Sequence, residues 1–148
     1  MEMHGERRIL APRERVWQSL NDPEMLKACL PGCEAIEKLS DTEFTAKVTA
    51  RVGPVKATFN GKVTLTDLDP PNSYRIGGEG SGGVAGFAKG GATVVLTEEN
   101  GETVLRYGVD AQVGGKIAQI GSRLIDGVAR KMADEFFTRF AAAMHPES

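Results

Sequence analysis

Cysteine, histidine and aromatic residues are all scarce in this sequence of 148 residues. Its two cysteines are too few for the several bridges of a secreted disulfide scaffold. The longest apolar runs span only a few residues, far below the roughly 20 that a membrane-crossing helix requires. The first ten residues are charged and contain no apolar segment of the kind found in signal peptides. The balance of 18 basic and 20 acidic residues disfavours a strongly basic nucleic-acid-binding protein.

The remaining composition is typical of one soluble globular domain. Hydrophobic residues make up 41% of the chain and charged residues 26%. A chain of this length forms a single hydrophobic core, so we expect one domain over residues 1–148. We expect a cytoplasmic protein with at most transient contact with the inner face of a membrane. Glycine is unusually clustered, since eight of the 18 glycines lie between Gly77 and Gly91.

The beginning of the chain predicts a strand followed by two short helices. Met3–Ile9 reads as a strand with a charged outer face. Proline suits the first helical position, so Ala11-Pro12 and Asp22-Pro23 each predict a helix start, with Asp22 as the N-cap residue. Pro31-Gly32 predicts a sharp end to the second helix.

The middle of the chain predicts about six antiparallel strands. Residues 44–52 and 55–66 alternate between apolar and polar side chains, which is the period of a strand with one buried face. Turn residues separate the strands at Gly53-Pro54, at residues 69–72 and at residues 99–101.

The last part of the chain predicts one long amphipathic helix over Lys116–Met144, after a break at Gly114-Gly115. Its apolar residues recur three or four positions apart, at Ile117, Ile120, Leu124, Val128, Met132, Phe136 and Phe140. Leu124 lies in the middle of this row, and we expect it to be buried. Phe136, Phe137 and Phe140 predict core packing, with a membrane-touching patch as the alternative.

An α+β fold follows, in which a curved antiparallel sheet of six to seven strands packs its concave face on the long helix. Several inward positions carry small residues, namely Ala46, Ala50, Ala57, Gly61 and Ala111. They predict a cavity between sheet and helix, although small residues would also admit a closely packed helix.

The sequence resembles the CoxG family of carbon monoxide dehydrogenase proteins, within the START and birch-pollen-allergen-like (SRPBCC) helix-grip superfamily. The resemblance rests on Val16-Trp17, on Asn21-Asp22-Pro23, on the Leu-Pro-Gly-Cys motif of residues 30–33, and on residues 52–55 and 114–123. It covers nearly the whole chain.

The resemblance implies an accessory protein of a molybdenum-containing hydroxylase that binds a lipophilic, quinone-like molecule. Many members of the family carry a C-terminal extension with a hydrophobic anchor. This sequence stops at Ser148 directly after the predicted helix, so we expect that it does not anchor itself.

The predicted cavity is lined by apolar residues and one tyrosine. We expect these to be Leu26, Leu30, Phe59, Val63, Phe87, Tyr107, Ile117, Ile120 and Leu124. Three basic residues recur every seven positions, Lys116, Arg123 and Arg130, and predict either a docking stripe for an acidic partner or a solvated face.

Two further motifs have competing interpretations. Cys29 and Cys33 are expected to pack as small hydrophobic residues, because a zinc site would also require His4 and His145 to converge on them. A reversible disulfide between them is the other alternative, and a reducing cytoplasm disfavours it. The glycine-rich segment predicts bent or closely packed strands, with a mobile gate as the alternative. It lacks the Gly-Lys-Ser/Thr ending of a phosphate-binding loop.

Catalysis is not predicted. The inward positions are nearly all apolar except Tyr74 and Tyr107, and Glu79 and Asp110 are expected to be solvated. We therefore expect a binding protein without catalytic residues, metal or cofactor, and no nucleic-acid partner. The alternatives are an assembly factor without a ligand and, less favoured, a cyclase-like enzyme on the same fold.

Overall fold

A computed structural model describes residues 1–144 of the chain and places seven strands in one antiparallel sheet. The strands are β1 (Glu2–Ile9), β2 (Cys33–Lys38), β3 (Glu43–Val52), β4 (Val55–Asp69), β5 (Ser73–Ser81), β6 (Phe87–Glu99) and β7 (Glu102–Gly114). Their spatial order is β1-β7-β6-β5-β4-β3-β2, so consecutive strands from β2 to β7 are neighbours and β1 closes onto β7. The predicted antiparallel sheet is confirmed.

The two short helices after β1 are α1 (Arg13–Leu20) and α2 (Pro23–Cys29). The side chain of Asp22 accepts a hydrogen bond of 3.0 Å from the backbone N–H of Glu24, which confirms its predicted role as N-cap. Pro12, in contrast, occupies the N-cap position of α1 rather than its first turn. The hairpin turn between β6 and β7 also lies where the sequence places it, with positive φ angles at Asn100 and Gly101.

The long C-terminal helix, α3, covers Ser122–Met144. The prediction that it begins at Lys116 was wrong, because Lys116–Ile120 forms a separate 3-10 helix. Gly121 stands between the two helices with φ 109°, a backbone conformation that an α-helix cannot contain. A second 3-10 helix, Gly83–Ala85, connects β5 to β6.

The hydrophobic core lies between the sheet, α1, α2 and the C-terminal half of α3. Phe140 is fully buried and Met144 is 2% exposed, and both pack in one cluster with Ile9 and Leu105. Phe136 and Phe137 pack against this cluster, which confirms the prediction that the phenylalanines of this helix belong to the core.

The N-terminal half of α3 is much less buried than its C-terminal half. Leu124 is 50% exposed, so the expectation that it is buried was wrong. It lies near the β3–β4 turn, where a Cβ atom added to Gly53 would lie 3.5 Å from Cδ1 of Leu124 and 3.4 Å from Cγ2 of Ile120. The helix thus contacts the sheet closely near both of its ends.

Candidate functional site

An apolar pocket of about 350 Å³ opens on the inner face of the sheet, the face that packs on α3 in the core. We call it the inner pocket. The pairing register places small residues from neighbouring strands beside one another there, as in the pairs Ala46–Gly61 and Gly90–Ala111. Its larger apolar lining residues are Val48, Phe59, Val63, Ile76 and Val109.

At two glycines of the inner pocket the backbone leaves no room for a side chain. A Cβ atom on Gly61 would lie 2.7 Å from the carbonyl oxygen of Glu79. One on Gly90 would overlap the carbonyl oxygen of Asp110 and lie 2.7 Å from Cα of Ala111. These contacts agree with the prediction of bent or closely packed strands in the glycine-rich region.

The large lining residues of the inner pocket are only half-buried, although they face inward. Inward residues elsewhere on the same strands, such as Phe44, Leu65 and Leu105, are buried in the core. The inner face therefore has a packed end below the C-terminal half of α3 and an apolar end that remains open. An apolar molecule that covered the open end would remove this surface from water.

The structure brings only two of the nine predicted cavity residues, Phe59 and Val63, to the inner pocket. Ile117 is buried, while Ile120 and Leu124 lie at the β3–β4 turn. Leu26 is in α2 and Leu30 follows it, outside this pocket.

Phe87 and Tyr107 are also placed differently from the prediction. The register of β6 turns Phe87 to the outer face, where its ring lies over Gly114. Tyr107 does face inward, but its ring stacks on Phe137 with centroids 5.0 Å apart. Val109 and Ala111 alternate along β7 on the same face as Tyr107, so strand alternation would have added both to the predicted lining residues.

The outer face of the sheet carries two larger and more polar depressions, of about 850 and 660 Å³. Cross-strand charges line both, including Lys62, Glu79 and Lys89. Glu79 and Asp110 are exposed there, on the face opposite to the core.

A small polar recess of about 180 Å³ lies between β1, β7 and α3, and we call it the edge cleft. It is lined by Met3, His4, Arg7, Tyr107, Arg130 and Asp134. Arg7 is bonded to Asp134, and its guanidinium lies 5.4 Å from the centroid of the Phe137 ring. These contacts attach the middle of α3 to β1.

The two cysteines are free thiols at the α2–β2 connection. Cys29 is buried with its Sγ 3.8 Å from Sδ of Met25, and burial raises the pKa of its thiol. Burial also raises the pKa of the Cys33 thiol. Across residues 1–144, no group of three or more His, Cys, Asp and Glu side chains is placed to hold a metal ion, and His145 lies outside the described residues.

The three predicted docking residues do not form one helical row. Lys116 belongs to the 3-10 helix before Gly121, whereas Arg123 and Arg130 belong to α3. All three are exposed, and Arg130 lines the edge cleft. Nowhere in residues 1–144 does a helix combine the length and hydropathy needed to cross a membrane.

Known structures define the class of protein to which this arrangement belongs. A START superfamily protein from Mycobacterium smegmatis has the same fold, at 11% identity and a TM-score of 0.73, over 97% of this chain and 96% of that one. A structure from Thermus thermophilus matches at 20% identity and a TM-score of 0.73, over 96% and 95% of the two chains. The predicted helix-grip architecture of the START-like proteins is therefore confirmed.

The family follows from the sequence itself. The profile of the carbon monoxide dehydrogenase protein CoxG matches residues 5–145, and the chain belongs to the CoxG family. A conserved protein from Geobacillus kaustophilus is 30% identical, with a TM-score of 0.90 over 97% of this chain and 95% of that one. No curated protein sequence matches the chain. Family and fold together indicate a ligand-binding accessory protein.

Proposed function

We propose that this protein binds an apolar, quinone-like small molecule in the inner pocket and assists a molybdenum hydroxylase. The observation that carries the proposal is the inner pocket itself, where inward apolar residues are left half-buried. Below the C-terminal half of α3, by contrast, the inner face is packed by core side chains such as Leu105 and Phe140. An assembly factor with a filled core would not require such a pocket.

Burial of the ligand is the main source of affinity in this proposal. Each CH₂ group removed from water contributes about 0.8 kcal/mol, and each 1.4 kcal/mol corresponds to a factor of about ten in the dissociation constant. Ligands that differ only in chain length should therefore bind about fourfold more tightly for each CH₂ group until the pocket is filled.

Binding is tested by titration calorimetry with decylubiquinone and its shorter-chain homologues. We expect the dissociation constant to fall with chain length and then to level off. Native mass spectrometry of protein purified from its own host provides an independent readout, because a retained ligand adds its mass to the chain. Absence of binding to every homologue up to its solubility limit would contradict the ligand-binding part of the proposal.

The accessory role is supported by a cluster of positive charge at the end of the molecule where α3 begins. Three segments meet there, residues 49–59, 82–88 and 113–124, and none of them contains an acidic residue. Within residues 1–144, the one carboxylate bonded to them, that of Glu34 in β2, accepts a hydrogen bond from Thr49. They contain four basic residues, Arg51, Lys56, Lys116 and Arg123. Val84, which is 94% exposed, lies in the same region. We propose that this end docks on an acidic surface of the hydroxylase, with Lys116 and Arg123 as contacts.

The docking proposal is tested by measuring binding to a purified molybdenum hydroxylase from the same organism. The Lys116→Glu/Arg123→Glu double variant should weaken binding to the hydroxylase at least tenfold, because like charges across an interface repel. A Lys27→Glu/Lys38→Glu double variant, altered at exposed lysines on α2 and β2, makes the same change of charge elsewhere. If both double variants weakened binding equally, the effect would come from the change in net charge alone, and the assigned docking surface would be wrong.

A further inference from the structure

The edge cleft is a positively charged recess beside the inner pocket. It contains two guanidinium groups, a phenol and an imidazole, but only one carboxylate, that of Asp134. Asp134 is bonded to Arg7. Arg130 has no ion-pair partner within 4.0 Å among residues 1–144, which leaves its charge available to a ligand.

Arg7 occupies a position that a core side chain would be expected to fill. The alternation of β1 places it on the inner face together with Met3 and Ile9, both of which are buried. Taking a charge out of water is unfavourable unless the charge is paired. The bond to Asp134 and the contact with the Phe137 ring offset part of this cost, and they hold the guanidinium at the cleft.

The edge cleft and the inner pocket share a wall. Met3 lines the cleft and Val109 lines the pocket, and the two residues are paired neighbours in β1 and β7. Tyr107 lies two residues before Val109 on the same face, and its hydroxyl lies over Gly5 of β1. The polar groups of the edge cleft therefore lie next to the β7 side of the inner pocket, with the Met3 side chain between the two recesses.

We propose that the edge cleft binds the oxygen head group of an amphiphilic ligand whose apolar body lies in the inner pocket. This inference rests on the function proposed above and specifies the class of ligand. Arg7, Arg130 and the Tyr107 hydroxyl donate hydrogen bonds to the head group. The neutral carbonyl oxygen of a quinone can accept these hydrogen bonds, and a carboxylate or phosphate head accepts them more strongly, because charge-assisted hydrogen bonds to guanidinium are the stronger ones.

Three probes separate the two recesses by calorimetry at about pH 8, where a carboxylic acid is ionised. Dodecanoate has tail and charged head, 1-dodecanol has the same tail with a neutral head, and acetate has the charged head alone. All are used below the concentration at which micelles form. We expect dodecanoate to bind about fivefold or more tightly than 1-dodecanol, and acetate to bind too weakly to measure.

Substitutions on α3 then assign the preference to the cleft. Arg130→Gln should remove the preference for dodecanoate and leave 1-dodecanol unchanged, whereas Asp134→Asn should increase it by removing a competing negative charge. Lys131→Gln, at an exposed position beside Arg130, is the matched control and should change neither affinity. The same experiment repeated with dodecyl phosphate and inorganic phosphate distinguishes a lipid head group from a free anion.

Three results would overturn the inference. Equal affinity for dodecanoate and 1-dodecanol would show that the cleft does not act on the head group. Loss of both affinities in Arg130→Gln would indicate a structural role for the arginine. Acetate binding as tightly as dodecanoate would show that the cleft is independent of the inner pocket. Absence of binding by both tailed probes would instead defeat the proposed function and, with it, this inference.

Discussion

A leucine at position 111 should close much of the inner pocket without disturbing the fold. Ala111 is half-buried on the inner face of β7 and pairs with Gly90, which has no side chain to collide with the larger residue. Leucine adds three carbon atoms to a pocket of about 350 Å³. A ligand that can no longer bury three of its own CH₂ groups, at about 0.8 kcal/mol each, loses about 2.4 kcal/mol of binding free energy, which is roughly 50-fold in affinity.

The same substitution should slightly increase the free energy of unfolding, because the leucine covers apolar surface that is now half-exposed. We expect a gain of about 1 kcal/mol, less than half of the value for complete burial. Decylubiquinone affinity is measured by calorimetry and stability by urea unfolding. Gln112→Leu is the control, since this neighbouring residue is exposed on the outer face of the same strand and should leave ligand affinity unchanged.

Two outcomes would refute this reasoning. If Ala111→Leu bound decylubiquinone as tightly as the natural sequence, the ligand would not occupy the inner pocket. If the variant lost about 1–3 kcal/mol of stability, as overpacked cores do, the space above Ala111 would already be filled by other side chains.

Three further predictions concern packing and pH. Gly90→Ala should destabilise the fold by about 1–3 kcal/mol, because its Cβ would overlap a carbonyl oxygen of β7, whereas Gly77→Ala, whose Cβ would have no neighbour nearer than 3.9 Å, should melt close to the natural temperature. Phe140→Ala should lower the free energy of unfolding, measured with urea, by about 3–5 kcal/mol, because Phe140 is fully buried. Leu124→Ala should lower it much less, because Leu124 is 50% exposed, and equal losses would contradict the assigned packing of α3. Burial raises the pKa of Tyr74 above its ordinary value of 10.0, so this tyrosine ionises at lower pH in the unfolded chain than in the folded protein. The free energy of unfolding should therefore fall as the pH rises above about 10. Tyr74→Phe should reduce this dependence on pH, and an unchanged dependence would show that another group causes it.

Local signals predicted the strands, the turns and the two short helices. The cap at Asp22 and the turn at Asn100-Gly101 depend on side chains within a few residues of one another, so their chemistry is visible in sequence. The long strands alternate strictly, which fixes the face of residues such as Phe44 and Leu105. Their burial in the structure follows directly from that period.

The predicted site was less accurate, because its residues lie where the local signals are weak. Glycines interrupt the alternation between Ile76 and Phe87, so the sequence does not show to which face Phe87 points, and one residue of register reverses the answer. The spacing of Ile117 and Ile120 fits a 3-10 helix as well as an α-helix, since both place residues i and i+3 on one side. The helix start was therefore misplaced, and Leu124 was assigned to the wrong environment.

The placement of α3 explains why the open end of the sheet remains unfilled. The helix is attached near its start by the contact of Leu124 with the β3–β4 turn, in its middle by the Arg7–Asp134 bond, and at its end by the burial of Phe140. Among the described residues, those that line the inner pocket all belong to β3 to β7, and none belongs to α3. The attachments of the helix to β1, to the β3–β4 turn and to the core therefore leave this part of the inner face uncovered. Since the Arg7–Asp134 bond is also part of the edge cleft, a head group bound there would act on the contact that positions the helix.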